Sequence, residues 1–420
     1  PYLKRRDNPA AVTYPNAAIK NVLKSTLGVP IFQEQVIKLA MVAAGFSGGE
    51  ADQLRRAMAS WGKNGTLLKF QSKLVNGMLE RGYSEEFALR LFEQIKGFGS
   101  YGFPESHSAS FALLVYLSAW IKCHHPAAFY CGLLNSQPMG FYTPSQLIQD
   151  ARRHQVTVLP VDINQSNWDH YLVMGQSSVV TAQQQPPLRL GLRLVKNLGK
   201  AAANRISAAR AEQMFKSPAD LARRARLDKA ELAALADANA LQPFSPHRYQ
   251  AHWQVMAIEP ARPLLIEADN HEPDPITLPP PSVMEQTLAD YRSLGLTLGN
   301  HPMQLLRDHP QLNGCKRQLD LQRTANNRFV RVAGLVTGRQ RPGSASGVIF
   351  LTLEDETGNI NVIVWQNLQE RCRQPLLTGK LLLIKGIMEC KNEVIHVIAG
   401  DILDQSALLN ELALKSRNFH

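Results

Sequence analysis

Residues 95–111 read IKGFGSYGFPESHSASF, and how this stretch is read decides the fold. Gly97-x-Gly99-x-x-Gly102 has the spacing of a dinucleotide-binding fingerprint. That site needs a strand before the glycines, a helix after them and an acidic residue about twenty positions on. The preceding residues, FALRLFEQIK at 87–96, instead bring Ala88, Leu91, Phe92 and Ile95 to one face at helical spacing. No acidic residue closes a second strand downstream, so the context argues against a Rossmann site and a nicotinamide oxidoreductase. The glycines still let a ligand approach the backbone closely. Pro104 stops a continuing helix, and Ser106, His107 and Ser108 then open a helix predicted from about Ala109, where amides and helix dipole favour an anion. Tyr101 and Phe103 offer flat faces to a base. The same residues also fit a glycine hinge between packed helices, with His107 as a cap, and spacing alone leaves both readings open.

The bulk composition narrows the class. The chain has 420 residues, 45% hydrophobic and 19% charged, a balance that can bury the cores of roughly two to four domains. Lys and Arg number 46 against 35 Asp and Glu, a net charge of +11 with pI near 9.5, which fits a polyanionic partner, nucleic acid or an acidic membrane surface, and equally a basic surface kept for solubility. Five cysteines (Cys123, Cys131, Cys315, Cys372 and Cys390) form no C-x-x-C pair, the pattern of reduced thiols in a cytoplasmic protein. Zinc is disfavoured because Cys123, His124 and His125 are consecutive and point in different directions on a helix. The longest apolar run, ASFALLVYLSAWI at 109–121, is shorter than the roughly 18 residues of a membrane span and predicts a buried helix. The chain begins on Pro1 rather than Met and reads as a piece of something longer.

Texture divides the chain further. Residues 1–170 are helix-rich. Residues 171–255 hold shorter helices with clear starts, at Ser217-Pro218-Ala219-Asp220 and Asp228-Lys229-Ala230-Glu231. Between Leu188 and Ala230 stand eleven Lys or Arg and three acids. Residues 256–325 comprise a proline-rich, acidic linker to about 287 and connecting helices. From 326 to 405 the period becomes two, with turns at 355–359 and 390–392, and about five short strands suit a small barrel of the OB type. Phe329, Phe350 and Trp365 are the aromatics there that could stack on unpaired bases. In alternating strands the core is the expected place for Phe350 and Trp365. Residues 406–420 form a tail. The fold expected is therefore multidomain, mainly α, with a C-terminal all-β barrel.

Arg55 and Arg56 stand side by side in ADQLRRAMA (51–59), about a quarter-turn apart on a helix, where they could flank a polyphosphate or simply form a solvated basic face. With PIFQEQVIKLA (30–40) before them and YGFPESHSASFALLVYLSAWIKCHHPAAFY (101–130) after, the order of motifs resembles the fingers of bacterial C-family DNA polymerases. VLPVDINQSNW (158–168) looks like that family's link into a tandem helix-hairpin-helix module, and GLRLVKNLGKAAANRI (191–206) looks like the first hairpin of that module. DYRSLGLTLGNHPM (290–303) resembles its stretch ahead of the OB domain. The resemblance covers nearly the whole chain. PESHSASF and NSQPMGFY (135–142) are more similar to the error-prone, damage-induced branch than to the replicative polymerase III alpha subunit.

The resemblance implies fingers at 1–170, hairpins at 171–255, linker at 256–325 and OB domain at 326–405, acting in translesion synthesis. It implies that Arg55 and Arg56 meet the triphosphate of an incoming dNTP, with Tyr101 and His107 against its base and sugar and Ser106 nearby. In the hairpin zone Lys196, Gly199, Lys200 and Arg205 are candidate contacts to the DNA backbone, with Lys63 a loop contact. Polymerisation needs Mg2+ held by a D-x-D pair and a third Asp. Here Asp150, Asp162, Asp169 and Asp355 stand singly, so no catalytic or metal residue is expected in this chain, the palm is expected before Pro1, and the chain alone is expected not to extend a primer. No clamp-binding peptide is evident in QAHWQVM (250–256) or the linker. The implied partners beside primer-template DNA are then an inactive Y-family polymerase-like protein and a RecA-like accessory, with the sliding clamp reached indirectly and no membrane. The alternatives are a non-catalytic nucleic-acid-binding scaffold and the same region of the replicative subunit.

Overall fold

A computed structural model describes residues 2–59, 67–97, 104–140, 142–174, 185–258, 276–342, 347–391 and 393–409. Its contacts divide the chain into two units, Pro1–Trp120 and Ile121–His420.

The first unit is helical: α1 (Tyr2–Asp7), α2 (Ala17–Leu23), α3 (Gln33–Ala44), α4 (Gly48–Ala59), α5 (Leu67–Leu79), α6 (Glu85–Gly97) and α7 (Glu105–His124), whose last turn runs into the second unit. Gln35 explains the PIFQEQ segment: its Oε1 accepts the N–H groups of Ile31 (2.9 Å) and Phe32 (3.1 Å), while its Nε2 donates to Thr26 Oγ1 (2.8 Å). One buried side chain thus sets the entry of α3. The helix ends at Gly45, whose φ of 71° suits glycine at a left-handed C-cap. Leu39, Leu54, Met78 and the α6 face Ala88, Leu91, Phe92 and Ile95 form the core, as the period of α6 predicts.

Two expectations for α7 are corrected. It starts at Glu105 rather than about Ala109, because the Ser108 N–H bonds the Pro104 carbonyl (3.0 Å) and proline needs no donor at a helix start. It is also not buried: none of its residues is buried, and only Ser108 and Lys122 are half-buried.

The second unit opens with α8 (Pro126–Asn135) and α9 (Pro144–Arg153). A small sheet follows, β1 (Val158–Leu159), β2 (Tyr171–Leu172) and β3 (Leu188–Arg189), in order β1-β3-β2. Four helices come next: α10 (Lys200–Glu212), α11 (Pro218–Ala225), α12 (Lys229–Asp237) and α13 (Arg248–Met256). Ser217 and Asp228 cap α11 and α12 as read from the sequence. His170 lies beside the small sheet, only 3% exposed, and its Nδ1 accepts the Gly191 N–H (3.1 Å). Burial pushes its pKa down to about 4. The native state then binds fewer protons than the unfolded chain between about pH 6.5 and 4, so stability is full above this window and lost as pH falls through it. We expect a loss of about 3 kcal/mol over that range. Chemical denaturation at pH 7 and pH 4.5 measures it, and an unchanged pH dependence in His170→Gln would remove His170 as its source.

After α14 (Val283–Ser293), α15 (Pro302–Leu306) and α16 (Gln318–Leu321) comes the barrel: β4 (Phe329–Gln340), β5 (Ile349–Glu354), β6 (Asn359–Val364), β7 (Leu381–Lys391) and β8 (Val394–Asp404), with α17 (Gln366–Arg371) and α18 (Arg373–Thr378) between β6 and β7. It closes in the order β4-β5-β6-β8-β7, the small barrel that the alternating strands predict. Val332, Leu353, Val362, Val364, Leu382 and Val397 fill it. Asp355 shapes the β5–β6 turn by accepting the N–H groups of Thr357 (2.7 Å) and Gly358 (2.9 Å). The result is a mainly helical chain ending in a β-barrel.

Candidate nucleic-acid interface

On α4 a single carboxylate holds both arginines. Asp52 Oδ1 accepts from Arg55 Nε (2.9 Å) and Oδ2 from an Arg56 amino group (2.8 Å), and the Arg55 hydrogen bond is the chief pull holding this exposed carboxyl below its ordinary range. The quarter-turn between neighbours is thereby bridged, giving two oriented guanidiniums on one surface. Asp52 lies three and four residues before them, a spacing that could have flagged it in the sequence.

Ser106 and His107 occupy the first turn of α7, both exposed, with the His107 ring 4.1 Å from the Phe111 ring, centroid to centroid. The anion at this helix start is the chain's own: the Glu105 N–H donates to Glu34 Oε2 from α3 (2.8 Å). Sequence reasoning passed over Glu34, since nothing local links positions 34 and 105. Tyr101, Lys63, Gly99, Gly102 and Phe103 lie outside the described residues.

The hairpin zone separates into structural and outward-facing charge. Arg205 donates to both Glu231 oxygens (2.9 and 2.8 Å) and to the Ala225 carbonyl (3.0 Å), tying α10 to the start of α12. Arg210 serves the carbonyls of Ile163 (3.1 Å) and Ser166 (2.7 Å), and Arg224 those of Ala209 and Gln213. Much of the basic excess therefore bonds loop carbonyls. Lys196 donates from its backbone to Ser293 O (2.9 Å) and from Nζ to Tyr291 O (3.1 Å), closing the C-terminal end of α14. The turn itself is made by Asn197, at φ 66°, so Gly199, with ordinary φ of −79°, is not there for a left-handed backbone. A Cβ on Gly199 would meet nothing within 4 Å, and no side chain caps α10. Among the described residues Lys200 makes no ion pair. Between α12 and α13 the chain bends at Asn239, at φ 54°, with no glycine in the turn.

The barrel overturns one expectation. Phe350 and Trp365 point outward, 37% and 51% exposed, as does Phe329 at 65%. Register explains why: Phe350 pairs with Ile363, Ile363 with Ile398, Ile398 with Ile387 and Ile387 with Phe329, one outward row across all five strands. Their neighbours Leu351, Val362, Val397, Met388 and Val330 take the interior. Both faces of these strands are apolar, so alternation alone does not say which one closes inward. Two residues along from Ile387 and Phe329 stand the paired Lys385 and Arg331, which put basic side chains beside the row.

Among the described residues no group of three or more His, Cys, Asp or Glu could hold a metal ion. Nor is any described helix long and apolar enough to cross a membrane.

Comparison with known proteins meets this geometry module by module. Residues 1–82 match the bacterial DNA polymerase III alpha subunit finger domain, 155–251 the helix-hairpin-helix motif and 330–404 the OB-fold nucleic acid binding domain. The chain is similar along 100% of its length to proteins named error-prone DNA polymerase: 57% identical to that of Saccharophagus degradans, covering 40% of the relative, and 56% to that of Teredinibacter turnerae, covering 41%. Identity to the Pseudomonas aeruginosa protein of the same name is 50%, again covering 40% of it. The chain thus spans about 40% of the length of these relatives. With finger, hairpin and OB modules matched in this order and such identity throughout, the chain is similar along its whole length to error-prone DNA polymerases and matches the finger domain of the bacterial DNA polymerase III alpha subunit.

Proposed function

We propose that this chain supplies incoming-nucleotide and DNA binding to an error-prone DNA polymerase acting in damage-induced translesion synthesis. The observation that carries the reading is similarity to error-prone DNA polymerases along the whole chain, at 57% identity, with finger, hairpin and OB modules matched in order. Fingers extend to about residue 170, hairpins to 255 and linker to 325, ahead of the barrel. Arg55 and Arg56, pre-oriented by Asp52, receive the triphosphate, with His107 and Ser106 at its sugar side and Tyr101 against the base. Phosphoryl transfer asks mainly for positioning and charge neutralisation, which suits these groups. Mg2+ is the ion such chemistry uses. Among the described residues no cluster of carboxylates fits it. Primer-template DNA lies along the hairpins and the barrel of a cytoplasmic enzyme. An inactive Y-family-like protein and a RecA-like accessory are its proposed partners, with the clamp reached through them.

Primer extension by the full-length polymerase on undamaged and abasic templates, with His107→Ala alongside, tests the reading. Extension weakened by the substitution supports it, while tight DNA binding without extension would mean a scaffold. On the DNA side, the outward-facing hairpin offers uncapped amides at Gly199 and the charge of Lys200 and Lys196, with Arg205 as a positioning residue. Lys200→Glu should lower the slope of log affinity against log salt by about 1. An unaltered slope moves the duplex elsewhere. The barrel row offers Phe329 and Phe350 to unpaired bases, and Trp365, just past the end of β6, offers a third outward aromatic. Phe329→Ala and Trp365→Ala should each weaken single-strand binding by about 1 kcal/mol or more, measured by fluorescence anisotropy; wild-type affinity in both would remove the row from the DNA path.

A further inference from the structure

The residues assigned to the incoming nucleotide stand on two different helices, and one carboxylate joins them. Arg55 and Arg56 belong to α4, which packs on α3: Leu39, Ala40 and Ala43 share one buried core with Ala51 and Leu54. Ser106 and His107 belong to the first turn of α7, where the His107 ring lies against Phe111. All of these residues lie within the first unit. Between the two groups stands Glu34, in the first turn of α3. Its neighbour Gln35 is 3% exposed and pins the entry of α3, so the backbone that carries Glu34 is fixed from inside. From there Glu34 Oε2 accepts the N–H of Glu105 (2.8 Å), 71 residues on.

A helix start leaves N–H groups without an intrahelical partner, and Pro104, the residue before α7, has no side-chain acceptor to offer them. The Glu34 carboxylate meets one of these groups and sets a negative charge at the positive end of the helix. We infer that Glu34 is a positioning residue of the nucleotide site: by holding the first turn of α7 on α3, it fixes Ser106 and His107 relative to the arginines of α4. The inference rests on the nucleotide reading of those residues. A turn ordered before nucleotide arrives need not be ordered by binding, so the hold shows as affinity.

Two measurements on the full-length protein test it. Hydrogen exchange at the amides of residues 105–108 reads the hold itself and needs no activity. Glu34→Ala should speed exchange there roughly ten-fold, the scale of one lost charge-assisted hydrogen bond, and Glu34→Gln, which keeps an acceptor, should restore most of the protection. Unchanged exchange in Glu34→Ala overturns the inference. Steady-state primer extension over a range of dNTP concentrations reads the role. Glu34→Ala should raise KM for dNTP about ten-fold and leave kcat within about two-fold, with most of the loss recovered in Glu34→Gln. Because Glu34 acts through the turn that carries His107, Glu34→Ala combined with His107→Ala should lose less than the product of the two single losses. An unchanged KM, or losses that simply multiply, overturns the positioning role. Wild-type protein that binds DNA but extends no primer sinks the polymerase reading alone, and the exchange rates still decide whether Glu34 holds the turn.

Discussion

Arg56→Ala in the full-length polymerase is expected to lower kcat/KM for the incoming dNTP by about 100-fold, the scale of losing one preorganised donor to a phosphoryl group. The geometry makes the effect larger than a surface arginine would give. Asp52 holds both guanidiniums in place, so part of the entropy of ordering them is met before nucleotide arrives. Arg56→Lys keeps the charge and loses the planar fork, and it should recover only part of the loss. Asp52→Asn keeps both arginines but loosens them, and should raise KM more than it lowers kcat. Steady-state extension over a range of dNTP concentrations separates these cases. An unchanged kcat/KM in Arg56→Ala would remove this pair from the nucleotide site.

Arg248→Ala should destabilise the second unit by about 3–5 kcal/mol, as expected when one partner of a buried ion pair is removed. Arg248 is the most buried cation among the described ion pairs, its side chain only 3% exposed. Its guanidinium donates to the Asp237 carbonyl at the end of α12 (2.9 Å) and to Asp290 on α14. Asp290 also accepts the Thr297 hydroxyl (2.7 Å), so removing Arg248 strands a carboxylate that no other cation reaches in the described structure. Arg248→Met with Asp290→Leu removes both charges and should cost much less than Arg248→Ala alone. Urea unfolding of the three proteins decides it, and equal stability of Arg248→Ala and wild type would refute the clip. A functional consequence follows from position. The clip fixes α14 against α12 and α13, and Lys196 of the first hairpin bonds the end of the same α14. Loosening it should blur the hairpin's geometry before the barrel is affected.

The relation of sequence to structure can be judged from individual residues. The buried face of α6 is legible because helical period is a local property, and Ser217 and Asp228 are legible because a cap reaches only three residues ahead. The barrel is legible from alternation and turn residues. The family, with the candidate nucleotide residues it implies, is legible from motif order. What escapes is the partner of each charge and the inward face of each strand. Arg205 reads as a DNA contact until both carboxylate oxygens of Glu231, 26 residues away, accept from its Nη2 and the Ala225 carbonyl accepts from its Nε. Phe350 and Trp365 read as core until closure of five strands turns Leu351, Val362 and Val364 inward instead. Glu34 has no visible role until folding brings it to the start of α7.

The sequence by itself thus determined the elements, their order and the family, because those depend on interactions within a few residues and on motifs that survive as strings. Only the tertiary structure decided which arginines are structural, which aromatics face water and where α7 begins. Those outcomes depend on contacts between residues far apart in the chain, where charge and hydrophobicity are matched in space rather than along the sequence.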